Sequence, residues 1–246
     1  MYKIGFATAT LFCWISAVFA GFNVTNVANC GGITCINGKC TSNCGDLVQG
    51  SGNVVRKTLK VQTFKRIRAT GSVEAVIQQG AQEVVAEADD NLIDKITAEV
   101  EDGELVVSLE SGSYSPTRLR VNVRIPALET ITVEDSAEVT MRGFDQDSLR
   151  VEVSGSSSLE GPEVRARSLE LKAVGSSKVH LRSAKADQVS LDLSGASRAE
   201  LSVADGSELS GHLSGASRVS YCGTPAKIEV QTSGAARLKE SARECP

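Results

Sequence analysis

Aromatic side chains are scarce, with six Phe, three Tyr and one Trp among 246 residues. A core that cannot be filled by large rings must use small and branched aliphatics, which suits stacked strands better than a helical bundle. An excess of basic charge is lacking as well. The formal net charge is −4, and it becomes −5 if Lys3 is removed with the leader described below, because 25 basic residues then face 30 acidic ones. Such a chain has no bulk attraction to nucleic acid. No long apolar run follows the first twenty residues, so nothing later approaches the roughly 18 apolar positions that a helical membrane span needs. Histidine occurs twice, at His180 and His212. The two fall in different strands of different repeats, which argues against a shared metal. No residue set suggests a cofactor.

The opening stretch MYKIGFATATLFCWISAVFA combines Lys3, an apolar middle and small residues at Val18 and Ala20. That is the pattern of a cleavable secretory signal over residues 1–20. Export to the extracellular space or the cell surface is implied, or to the periplasm in a bacterial source. Removing Cys13 with the signal leaves six cysteines, an even number that in an oxidising compartment favours disulfides. Four of them, Cys30, Cys35, Cys40 and Cys44, crowd residues 21–49 with too little apolar material to fold without cross-links. The spacing lacks the paired C-x-x-C of a tetrathiolate zinc site, and three connectivities among the four stay open. Cys222 and Cys245 bracket the end of the chain, where a bridge would close it.

Residues 50–127 read as a head of short strands, in TLKVQTF, SVEAVIQQG, QEVVAEAD, ITAEV, ELVVSLE and TRLRVNVRI. Asp102-Gly103 predicts a hairpin turn. DDNLIDKI (89–96) predicts one helical turn capped by Asp89 or Asp90. The acidic group Asp89, Asp90 and Asp94 lacks the ligand order of an EF-hand.

From residue 128 to 246 the chain is periodic. Corner glycines stand at Gly155, Gly175, Gly195, Gly215 and Gly234, with Asp135 in the same slot of a degenerate copy. A fixed step of about twenty residues signals a solenoid. Aliphatics alternate before each corner (Leu149, Val151, Val153; Leu169, Leu171, Ala173; Val189, Leu191, Leu193), and one stands four residues after it (Leu159, Val179, Ala199, Val219, Leu238). Alternate residues of a strand share a face, so these sets point inward and each repeat is two strands joined at a bend. The predicted fold is all-β, a right-handed parallel β-helix with coils of about 20 residues. Gly211, standing where an aliphatic belongs, predicts a bulge or a narrowing of the core.

Phe64, Gly71-Ser72-Val73, Gln79-Gly80 and Ala88-Asp89-Asp90-Asn91-Leu92, followed by the Ser-Gly-Ser/Ala coils, resemble the auto-transporter adhesin head domain, or head GIN domain, family. The resemblance covers Gly50 to roughly Glu240. It implies a β-helical exported protein of the bacterial envelope with an adhesin role and no catalytic residues to carry over.

Three residues after the glycines stand Lys178, Arg198, Arg218 and Arg237, on the outward offset. Stacked, they form a candidate stripe for an acidic glycan, sulfated or uronic. Glu200 is placed to flank Arg198 and reach Arg218, so a solvated Arg–Glu ladder is the competing reading. Asp192, His212 and Arg218 could mimic part of a polysaccharide lyase or hydrolase, and Glu160 with Glu200 could mimic a carboxylate pair. Glu160 and Glu200 stand two coils apart, about 10 Å, outside the glycosidase geometries. The serines beside the corners have no partnered His and Asp, and are expected to bond each other and the bent backbone. The chain therefore reads as non-enzymatic, presenting a ribbed surface to an extracellular or cell-surface glycan or protein, with room for a homo-oligomer through the head.

Overall fold

The computed structural model describes residues 33–36, 39–42, 47–110, 112–115, 119–181 and 186–241. The leader 1–20, Cys30, Cys44 and Cys245 lie outside them. The chain divides into two units, Met1–Gly45 and Asp46–Pro246. In the first, Ile33–Ile36 pairs antiparallel with Lys39–Ser42, which sets the backbone of Cys35 opposite that of Cys40.

The second unit is all-β, and its periodic part is a β-solenoid of about five turns. Its two large sheets have ten and nine strands, beside a short parallel pair, Leu47–Gln49 with Ser113–Ser115. Each repeat contributes one strand to each sheet, so Gln188–Leu193 lies in the nine-stranded sheet and Arg198–Ser202 in the ten-stranded one. Neighbouring coils pair in parallel with a constant offset: Leu171 meets Leu191 and Val179 meets Ala199. The inward sets expected from the alternation are buried, with Leu171, Val179 and Leu193 at 0% exposure, except Leu238 of the last coil, which is half-buried. Shedding about 25 cal/mol for each Å² of apolar surface removed from water, these columns hold the sheets together without large rings.

Backbone geometry sets the corner. Gly155, Gly175, Gly195, Gly215 and Gly234 all have φ between +70° and +82°. A Cβ built on Gly195 would lie 2.7 Å from the Gly175 carbonyl oxygen, the same oxygen that accepts from Ala196 N at 2.7 Å. Glycine is thus required twice, by conformation and by the approach of one corner to the next. Asp135 holds the slot with φ +61°, its carboxylate accepting from Thr70 Oγ1 at 2.6 Å and from Gly71 N at 3.1 Å. These bonds hold the Asp135 carboxyl below its ordinary value.

Gly211 is not a bulge, and the close approach of the neighbouring strand is what requires glycine there. The register Leu191, Gly211, Val230 runs unbroken through it, and a Cβ there would collide with the Leu191 carbonyl.

The stacking order at the head departs from chain order. Glu74–Gln79 pairs with both Arg120–Ile125 and Glu138–Arg142, and Arg66–Ala69 with both Glu104–Leu109 and Thr130–Val133. Residues 66–79 therefore form a coil that lies between 104–125 and 130–142. Both sheets pass through residue 128 without a break. Antiparallel strands Val54–Leu59, Glu83–Asp89 and Ile96–Glu101 close that end. The hairpin expected at Asp102-Gly103 is present, both residues having positive φ.

Two local expectations need correction. The strand expected in TLKVQTF is instead Val54–Leu59. Beyond Leu59 the chain leaves its partner to reach the next coil, and Phe64 enters the core without a strand. The turn after Asp89 is a 3-10 turn, Ile93–Lys95, whose N-cap position is Leu92 with no side-chain cap. Asp90 instead accepts from Ser51 Oγ and Asn53 Nδ2, and Asp94 pairs with Lys57 at 2.7 Å.

Candidate functional site

The outward face of the ten-stranded sheet brings the candidate cations together. Lys178, Arg198, Arg218 and Arg237 are direct neighbours on four successive strands, all exposed, at the strand spacing of about 4.8 Å. Parallel pairing fixes this line, because each side chain stands three residues past its corner. Like charges about 5 Å apart repel by about 1 kcal/mol per pair even in water. The Arg–Glu ladder expected to offset them is not formed. None of the four makes an ion pair with a described residue. Glu200 stands opposite His180 and Ser220, one column away, and is engaged elsewhere.

The groups considered for catalysis do not converge. Asp192 and His212 are neighbours on the nine-stranded sheet, whereas Arg218 belongs to the other sheet. Glu160 and Glu200 sit on either side of His180 in one column, and His180 Nδ1 lies 4.0 Å from Glu160 Oε1. No group of three potential metal ligands occurs among the described residues.

The serines two residues past a corner, Ser157, Ser177, Ser197 and Ser217, are buried, and two of them bond the backbone. Ser157 Oγ donates to the Ser154 carbonyl at 2.6 Å and Ser197 Oγ to the Ser194 carbonyl at 3.0 Å, while the hydroxyls of Ser177 and Ser217 have no partner among the described residues. The expected serine-to-serine bonds are not made, since strand spacing keeps the hydroxyls on successive corners apart. No described histidine or carboxylate approaches these hydroxyls within hydrogen-bond reach, and a nucleophile has no base there.

A second charged feature escaped the sequence reading. Asp145, Asp147, Arg165, Arg167 and Asp187 line an open groove of about 350 Å³, with Arg167 Nε 3.6 Å from Asp147 Oδ1. Its signal was available, because Asp147, Arg167 and Asp187 stand twelve residues after Asp135, Gly155 and Gly175. Alternating signs make it self-neutralising.

Residues 63–242 match the family described as "Putative auto-transporter adhesin, head GIN domain". The chain belongs to this family. Solved structures share the fold of this chain at low identity. A "putative adhesin" from Bacteroides fragilis NCTC 9343 is 17% identical, with a TM-score of 0.64 over 79% of this chain and 100% of that one. A second "putative adhesin", from Parabacteroides merdae ATCC 43184, is 17% identical, with a TM-score of 0.52 over 80% of this chain and 99% of that one. A "putative lipid binding protein" from Parabacteroides distasonis ATCC 8503 is 18% identical, with a TM-score of 0.52 over 80% of this chain and 100% of that one. Among curated proteins, none matches the sequence. Membership carries the suggestion of a surface or extracellular location for this head GIN chain. Among the described residues no helix is long and apolar enough to cross a membrane.

Proposed function

We propose that this head GIN protein is exported through its leader, residues 1–20, and acts without catalysis, presenting its ribbed outer face to an extracellular or cell-surface partner. The observation that carries this reading is the contrast between the faces of the coils. Inward positions are fixed by packing, and outward positions form straight rows of exposed polar side chains at strand spacing, which offer repeated contacts and no enclosed pocket. The conformational entropy of such a surface is spent in folding, so a partner meets a preorganised array. The cysteines of residues 21–49 fit the same reading as disulfides made after export.

Protease shaving of intact cells that express the full chain tests it, together with an attachment assay on cells in which the gene is deleted. Cleavage at the surface and lost attachment are expected. A protein that resists shaving until cells are lysed, or a deletion without effect on attachment, sinks the proposal. Incubating the mature protein with pectin, alginate and glycosaminoglycans, and finding new reducing or unsaturated ends, would favour the polysaccharide lyase or hydrolase reading instead.

A further inference from the structure

We infer that the row Lys178, Arg198, Arg218, Arg237 is a linear binding site for an acidic polysaccharide bearing carboxylate or sulfate groups. This rests on the surface-presentation reading above and names the class of partner.

The row is the last four rungs of one outward column that runs the whole ten-stranded sheet. From the head end its members are Arg56, Glu87, Arg120, Glu74, Glu138, Ser158 and then the four cations. On the first four rungs the signs alternate and the pairs close, Arg56 with Glu87 at 2.9 Å and Arg120 with Glu74 at 2.6 Å; Glu138 then repeats the sign of Glu74, and Ser158 is neutral. Columns on the other sheet behave alike. Arg150 meets Glu170 at 2.8 Å, and Glu152, Lys172, Asp192 and His212 follow one another with changing sign. Where the fold needs only solubility and an unsticky sheet, it mixes the signs. Among the described residues, no other outward column sets four cations on neighbouring strands. Stability alone does not produce this arrangement, because the repulsion is unrelieved within the row. A ligand with recurring negative charge relieves it.

The surroundings narrow the ligand class. One flank is the corner itself, with exposed small residues Ser176, Ala196, Ala216 and Ala235, a low wall along which a chain can lie. The other flank, one column away, carries His180, Glu200, Ser220 and Lys239, so a single carboxylate borders the row and Lys239 extends its positive end. Three strand steps make the row about 14 Å long, enough for several charged residues of an extended glycan. Neither flanking column carries Phe, Tyr or Trp, and His180 alone offers a ring, so successive bases of a single-stranded nucleic acid would find no stacking platform.

The test uses the mature full chain with four probes: a heparin oligosaccharide, an oligogalacturonate, neutral dextran and single-stranded DNA. Affinities are measured at about 50 and about 200 mM salt, since charge-driven binding falls with ionic strength. Binding of one or both acidic polysaccharides, weakened by salt, is expected, and no binding of dextran; which of the two binds tells sulfate from carboxylate. The double variant Arg198→Glu/Arg218→Glu should lose at least about tenfold in affinity. Lys60→Glu/Arg142→Glu, equal in net charge but off the row, should stay within about twofold by the same reasoning. A thermal melt matching wild type shows that the outward substitutions leave the fold intact. Absence of polysaccharide binding at low salt overturns the inference, as does equal loss in the off-row variant, or DNA binding as tight as the polysaccharides at equal salt. Attachment that survives Arg198→Glu/Arg218→Glu but not gene deletion would remove the row and spare the surface role. Polysaccharide binding by purified protein with no attachment defect in the deletion would do the reverse.

Discussion

Replacing one corner glycine by alanine separates the two demands that the coil makes on that position. At Gly195 the backbone has φ +75°, and the added Cβ would meet the Gly175 oxygen at 2.7 Å and its nitrogen at 3.0 Å. Holding an L-residue in the left-handed region costs about 1–2 kcal/mol. Forcing a methyl against unyielding backbone adds about 1–3 kcal/mol, so Gly195→Ala should destabilise by about 2–5 kcal/mol. Gly206 supplies the control, because its φ is +79° and nothing lies within 4 Å of a Cβ built there. Gly206→Ala should therefore cost only the conformational part, about 1–2 kcal/mol. Urea unfolding of the mature chain, followed by circular dichroism, measures both. In a chain of this length each kcal/mol lowers the melting midpoint by about 2–4 °C, which makes the gap between the variants readable in a thermal scan too. Coils contact only their neighbours, so a damaged corner in the middle can also split the transition into two steps. Equal destabilisation by Gly195→Ala and Gly206→Ala would refute the claim that stacking, and not only φ, selects glycine.

Acid sensitivity follows from Asp135, Asp90 and Asp94, whose carboxyls are held below the ordinary 3.8, respectively by Thr70 and Gly71, by Ser51 and Asn53, and by Lys57. A lowered folded value gives stability that is present above 3.8 and is lost as the pH falls through the folded value. Asp135→Asn should thus melt below wild type at neutral pH, with the gap closing below 3.8; a gap independent of pH would contradict this assignment. Cys222 is disulfide-bonded, and Cys245 is its expected partner. Cys222→Ser should speed hydrogen exchange in Lys227–Thr232 and Arg237–Glu240, weakening that coil by about 3 kcal/mol, and leave Thr130–Val133 unchanged. A non-reducing peptide map that joins Cys222 to a cysteine of residues 21–49 would refute the pairing.

The solenoid was legible because its period and its alternation are local. Leu171 and Val179 declare their faces by their distance from Gly175, and the same count from the corner placed Lys178, Arg198, Arg218 and Arg237 in one row. The head resisted for the opposite reason. Thr70-Gly71-Ser72 with Glu74, Ala75 and Ile77 repeats the offsets of Glu134-Asp135-Ser136 with Glu138, Val139 and Met141. The two copies pair strand to strand, yet 64 residues separate Gly71 from Asp135, a gap that hides the step of about twenty. Between them the chain folds back to lay down residues 104–125 beneath the first coil before it returns above. Such an order depends on long-range pairing, whose loop-closure cost and reward leave no mark in a local window.

The charge column depended on that order. Read along the chain, Arg56, Glu87, Arg120 and Glu74 have no common spacing, so the four later cations had only Glu200 and its neighbours for comparison, and Arg–Glu pairing was the economical reading. Once the register joins all ten strands, the comparison is with members of the same column, at the same strand spacing. There the fold closes Arg56 on Glu87 and Arg120 on Glu74, and then, past Ser158, places four cations in succession without a described counter-charge. Packing does not choose those side chains, since they touch no core residue's position, and the corner glycines would form the same coil with any polar residue three places on. What distinguishes the upper rungs is therefore a property of the surface alone, and the partner is to be sought in chemistry that prefers a narrow positive line to an evenly mixed face.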